Sequence, residues 1–208
     1  MADSPTHQLA EEHEYVKLVV GAMEAEAAFI ERTGRVRSGR LTQMIDFTRN
    51  FTDGDHHTKE EDLLFPLLEE RSASAGGTIS VLLSEHEAAR ECIRAVDRAL
   101  PVAEGADPAH AAQAREVIVE NLRLYAYLLP LHIGKEDTVL FPLTEEVLSV
   151  REQEMLGEDF GRLAAAPGRA ATTQKYHRLA HELSTPPVDG GERGRGKAGK
   201  MPTMRGRR

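Results

Sequence analysis

One stretch of this sequence occurs twice. His56-His57-Thr58-Lys59-Glu60-Glu61-Asp62-Leu63-Leu64-Phe65-Pro66-Leu67-Leu68-Glu69-Glu70 aligns without a gap to the segment running from His132 through Lys135, Glu136, Phe141 and Pro142 to Glu146. Nine of the fifteen positions are identical at a spacing of 76 residues. A shorter echo pairs Glu12-His13 with Glu85-His86 at a spacing of 73. The chain therefore reads as two copies of one unit, each carrying Glu-His on a first segment and His-x-x-x-Glu on a second.

Those segments read as helices. Sustained alternating Val/Ile/Thr runs are absent, whereas helix starts and stops recur. Ser4-Pro5 is an N-cap followed by a first-turn proline, which opens a helix running to about Thr33, where Gly34 stops it. A second helix begins near Ser38 to Arg40 and reaches about Arg71, with a bend expected at Asp53-Gly54-Asp55. Ser72 to Gly77 reads as a loop, and Thr78 as the cap of a third helix ending at Leu100 before Pro101. Asp107-Pro108 caps a fourth helix reaching about Leu143. Shorter helices are expected over Thr144 to Ala166 and Thr172 to Leu183. Four long amphipathic helices with short connections pack as an up-down-up-down bundle. The fold class expected is all-α: a four-helix bundle over residues 1–146, one or two extra C-terminal helices over 147–183, and a disordered Gly/Arg-rich basic tail over 184–208.

Composition narrows the function. No apolar run approaches the roughly 20 residues of a membrane span, and mean hydropathy is −0.42. The single cysteine, Cys92, excludes an intramolecular disulfide framework and a Cys-cluster zinc site, so a reducing, cytoplasmic setting is expected. Cys92 itself reads as a small core residue. The net charge of −8 is uneven: the tail holds seven Arg and Lys residues against Asp189 and Glu192, which leaves the remainder strongly acidic. An acidic body argues against nucleic-acid binding except through that tail.

Nine histidines without a tryptophan decide the chemistry. Residues four apart on a helix share a face, so the His and Glu of each repeat can converge on one metal. A pseudo-twofold pairing of the two units gives the ligand set His13, His56, Glu60, His86, His132 and Glu136. Glu60 and Glu136 are placed to bridge two ions. Mixed imidazole and carboxylate donors in an open octahedral site suit iron, with manganese as the alternative. Four His-x-x-x-Glu spacings occur. His7/Glu11 and His57/Glu61 are set aside as accidental, and His56 is preferred over His57 because Glu60 aligns with Glu136. Glu12 and Glu85, beside the site histidines, are candidates to hold other ligands in place. Lys59 and Lys135 are expected to face outward. Nothing in the sequence has the pattern of a Ser/His/Asp triad, a phosphate loop or a dinucleotide fingerprint.

With these motifs and its two Leu-Phe-Pro triplets, the chain from about Pro5 to Thr144 resembles the hemerythrin-like, HHE cation-binding family. The resemblance implies a four-helix bundle holding two iron ions with an oxo or hydroxo bridge, and a small partner: oxygen, nitric oxide or peroxide. It departs from the oxygen-carrying members in two places. They carry His-x-x-x-His on the third helix, where this chain has Arg90 four residues after His86, and an aspartate on the last helix where it has Glu136. One ligand is thus missing or supplied otherwise, and Tyr125, two turns before His132, is either that ligand or a core aromatic. His177 and His181 form either a second metal pair, a lid, or a surface pair. The function expected is a non-haem di-iron protein that binds or reacts with a small oxidant. The alternative is an iron, oxygen or nitric oxide sensor that acts through a partner without turnover.

Overall fold

A computed structural model describes residues 4–165 and 169–187. Residues 188–208, on which most of the expected tail falls, lie outside the described residues. Among the described residues there are helices and no strands. We number the helices α1 (Pro5–Thr33), α2 (Ser38–Phe47 continuing through Thr48–His57 and Glu60–Leu64 to Phe65–Arg71), α3 (Ala75–Ala103), α4 (Pro108–Lys135 continuing through Glu136–Leu140 to Phe141–Val147), α5 (Val150–Ala164) and α6 (Arg169–Ser184). None is long and apolar enough to cross a membrane.

The ends are set by local chemistry. The Ser4 hydroxyl accepts the His7 N–H at 3.2 Å, satisfying a donor that the first turn leaves orphaned. Gly34, at φ 64°, closes α1 with its N–H on the Ile30 carbonyl at 2.8 Å, a left-handed position that favours glycine. Asp107 accepts from the Ala109 and His110 N–H groups. Ser149 and Glu152 form a reciprocal capping box at the start of α5. Three expected boundaries move outward. α3 begins at Ala75 and runs past Pro101, because the last turn buries Leu100 and Ala103. α4 continues four residues past Leu143 to Val147.

Three stretches have π-helical geometry: Thr48–His57, Glu60–Leu64 and Glu136–Leu140. The last two occupy equivalent places in the repeat, each ending on the leucine of a Leu-Phe-Pro triplet. Phe65 and Phe141 donate to the carbonyls of Glu60 and Glu136, five residues back. The wider turn makes room for the rings of Pro66 and Pro142, so each helix passes its proline instead of ending there. In the first stretch a Cβ at Gly54 would sit 2.9 Å from the Arg49 carbonyl oxygen. Glycine is required there because the π turn brings the backbone that close.

Buried apolar residues form two separate clusters. One contains Val16, Phe51, Ile93, Tyr125 and Leu129, with Tyr176 and Leu179 from α6. The other contains Leu9, Leu64, Phe65, Leu82 and Leu140, with Phe160 from α5. Each long helix contributes to both and crosses a polar layer between them: His13 on α1, His56 and Glu60 on α2, His86 on α3, His132 and Glu136 on α4. The fold therefore holds a slab of ionisable groups about one helical turn thick, sealed on both sides by hydrocarbon.

Candidate metal centre

All six expected residues are buried at 2% exposure or less, and their functional atoms converge. Two groups of potential donors form, His13/His56/Glu60/Glu136 and His57/Glu60/His86/His132, with the donor atoms of each group within 4.8 Å of one another. Glu60 belongs to both. Its Oε1 lies 3.6 Å from His56 Nε2 and its Oε2 lies 3.5 Å from His86 Nε2. Glu136 spans the groups likewise, with Oε2 at 3.2 Å from His13 Nε2 and Oε1 at 3.1 Å from His132 Nε2.

The fifth imidazole, His57, joins the second donor group beside the preferred His56, although its His-x-x-x-Glu partner, Glu61, joins neither. A regular 3.6-residue period turns only one of two adjacent residues inward. The π geometry of Thr48–His57 gives a turn more residues, and both His56 and His57 are buried. His57 stacks on His86 with ring centroids 3.7 Å apart. It has no counterpart in the second unit, where Ile133 stands at that position.

Each imidazole turns Nε2 inward and is held at Nδ1 by a carboxylate. His13 faces Asp137 at 2.8 Å, His56 faces Glu12 at 3.1 Å, and His57 faces Asp53 at 3.4 Å. His86 faces Glu61 at 2.7 Å, and His132 faces Glu85 at 3.0 Å. Carboxylates so placed favour the Nδ1–H tautomer and leave Nε2 as the atom to hold a metal; the Nε2 atoms of His86 and His132 lie 3.0 Å apart. The arrangement keeps the pseudo-twofold order. Glu12 and Glu85 each hold the second-helix histidine of their own unit, whereas Glu61 and Asp137 each hold the Glu-His histidine of the other. Phe65 and Phe141 continue it, stacking on His86 and His13.

Lys59 overturns the expectation that both repeat lysines face outward. Its side chain is 1% exposed, with Nζ 2.5 Å from Glu12 and 3.3 Å from Asp55. Lys135, which bonds Glu85, is part-exposed. Tyr125 belongs to neither donor group; its hydroxyl faces the hydroxyls of Thr48 and Thr52, and burial pushes its phenol up. Arg90 reaches Asp53 and Glu61. His177 stacks on Tyr15 at 3.8 Å, and His181 meets the same ring edge-on; neither joins a donor group.

The electrostatics of the layer call for cations. Burial and the facing Glu136 carboxylate push Glu60 well above the usual carboxylate range. Against the cost of burial, the facing imidazoles of His13 and His132 hold Glu136 well below it. Burial drives His56, His57 and His86 down, toward the neutral form that binds metals. Burial opposes protonation of His13 too, but Asp137 and Glu136 carry it above its ordinary value. Both oxygens of Glu60, both of Glu136 and Nε2 of His13 are buried without a hydrogen-bond partner. Five unpartnered polar atoms at one point are costly in a dry interior, and divalent cations would satisfy them. The donors are nitrogen and oxygen, and Cys92 lies in an apolar cluster outside both donor groups.

Residues 4–144 match the hemerythrin HHE cation-binding domain. The chain belongs to this family. It is also similar to the uncharacterized proteins Rv1995 of Mycobacterium tuberculosis and Mb2018 of Mycobacterium bovis, each 31% identical over 120 residues, or 58% of this chain. The chain spans less than half the length of these relatives, 45% of each. No solved structure matches it. In this hemerythrin-family chain, α5 and α6 lie beyond the matched domain but contribute side chains to both apolar clusters.

Signals for the missed residues were present in the repeat. The acid that follows each repeat glutamate, Glu61 or Asp137, and the lysine that precedes it are both shared between the two units. Asp53 and His57 lack such a signal, because they depend on a π turn that has no equivalent in the second unit.

Proposed function

We propose that this hemerythrin-family chain holds two iron ions and uses them to bind or consume a small oxidant: peroxide, nitric oxide or oxygen. The observation that carries this reading is the pair of buried donor groups sharing Glu60. His13, His56, Glu60 and Glu136 would hold one ion, and His57, Glu60, His86 and His132 the other. Iron there supplies one-electron redox steps and coordination positions open to a small ligand.

The chain's own residues do the rest. The carboxylates on the Nδ1 atoms fix each ring's tautomer and orientation, so that the donors are preorganised. Phe65 and Phe141, with the flanking clusters, keep bulk water out and limit reaction to molecules of a few atoms. Lys59 holds Glu12, and through it His56, from within the core.

The test is metal content and visible absorption of protein produced with iron, compared with a His56→Ala/His132→Ala variant. About two irons per chain with a ferric charge-transfer band, both lost in the variant, are expected. Rapid-mixing assays with hydrogen peroxide and nitric oxide then separate turnover from binding. Less than half an iron per chain, with parent and variant equally folded, would defeat the di-iron reading.

A further inference from the structure

Arg90 stands where the oxygen-carrying relatives are expected to have a histidine, and its contacts give it a different task. Its Nε lies 2.6 Å from Asp53 Oδ1 and its Nη2 lies 2.5 Å from Glu61 Oε1. The same two oxygen atoms face His57 Nδ1 and His86 Nδ1. One guanidinium is thus one atom removed from two of the three imidazoles in the second donor group.

We propose that Arg90 is a positioning residue that weakens His57 and His86 as electron donors, and so raises the reduction potential of the metal ion they hold. This rests on the di-iron reading above. A carboxylate that accepts strongly from Nδ1–H pushes electron density into the ring and favours the more highly charged metal. A cation on the same oxygen withdraws that push, and its own charge further disfavours the oxidised ion. Both effects have the same sign.

The repeat shows that the feature is local. The residue at the equivalent place in the first unit is Lys17, 73 positions earlier and likewise four residues after its histidine. Lys17 is only 3.7 Å from Asp137, on the oxygen that does not face His13, and its shorter contact is to Glu14. The cation close behind the first donor group is Lys59, which reaches His56 alone, through Glu12. Arg90 therefore acts on one metal position and on two of its ligands.

The experiment is a redox titration of iron-loaded parent, Arg90→Met and Arg90→Lys, followed by visible and Mössbauer spectra that resolve the two irons. Iron content and metal-free melting are measured on all three. Removing the charge in Arg90→Met is expected to lower one of the two potentials, shifting the ferrous to ferric ratio at that iron at least tenfold, about 59 mV for one electron. The other iron moves little, and Arg90→Lys restores most of the change. The inference is overturned if the potentials do not move, if both move together, or if Lys and Met behave alike. A parent with less than one iron per chain overturns the di-iron reading and this inference with it. Two irons with unmoved potentials overturn this inference alone.

Discussion

Glu12 and Lys59 form an ion pair inside the protein, and the structure fixes what breaking it should cost. Burial opposes ionisation of Glu12, but the hydrogen bond from His56 and the charge of Lys59 overcome it and hold the carboxyl at about 2, against an ordinary value of 4.5. The depression is the joint work of His56 and Lys59, which both face the carboxylate. At about 1.4 kcal/mol per pH unit, a depression of that size is worth about 3 kcal/mol at neutral pH. Because the folded value lies below the unfolded one, this stability is present above pH 4.5 and is lost as pH falls toward 2. Independently, removing one partner of a buried pair costs about 3–5 kcal/mol, because the other charge is stranded, whereas replacing both with packed neutral groups is close to neutral. Glu12→Gln and Lys59→Met should each therefore destabilise the metal-free protein by about 3 kcal/mol or more, and the double variant by at least about 2 kcal/mol less than their sum. Urea unfolding followed by helical circular dichroism gives all four values; the chain has no tryptophan to report instead. Costs that add to within about 0.5 kcal/mol, or single variants as stable as the parent at pH 7, would refute the reasoning.

Three further outcomes follow from the site. Glu60→Gln should leave the metal-free protein within about 1 kcal/mol of the parent, since Gln keeps the shape of a carboxyl that burial and Glu136 push toward its neutral form, while metal content falls from two ions toward one or none; a large loss of metal-free stability would contradict this. His57→Leu should reduce iron from about two to about one per chain, whereas exposed His7→Ala should leave it at two, as elemental analysis of the purified proteins would show. Tyr125→Phe should keep the iron content and the visible band unchanged and cost about 1 kcal/mol for the lost hydroxyl; a shifted or vanished band would make Tyr125 a ligand after all.

Much of this architecture is legible in the residues. Ser4-Pro5, Gly34 and Asp107-Pro108 mark helix ends because each satisfies or removes a backbone group the helix cannot. His13, His56, Glu60, His86, His132 and Glu136 stand out because the repeat picks them from many other histidines and glutamates. His57 and Lys59 did not stand out, for one reason. A fixed helical period assigns each residue a direction, and the π turns of α2 change that assignment locally. Arg90 was legible as a departure, but its bridge to Asp53 and Glu61 depends on how α2 and α3 pack, which no local pattern specifies.

The π stretch of α2 also has a bearing on what lies upstream of it. Each residue of an α-helix advances the chain by about 100°, so an added residue absorbed in a wide turn resets the compass heading of everything before it. Met44 and Phe47 point into the apolar cluster, and His56 and His57 into the polar layer, on opposite sides of that reset. A chain one residue shorter between Thr48 and His57 would have to swing either the aromatic face or the imidazole pair toward water. The fifth imidazole and the anchoring of the α2 entry therefore depend on one and the same turn.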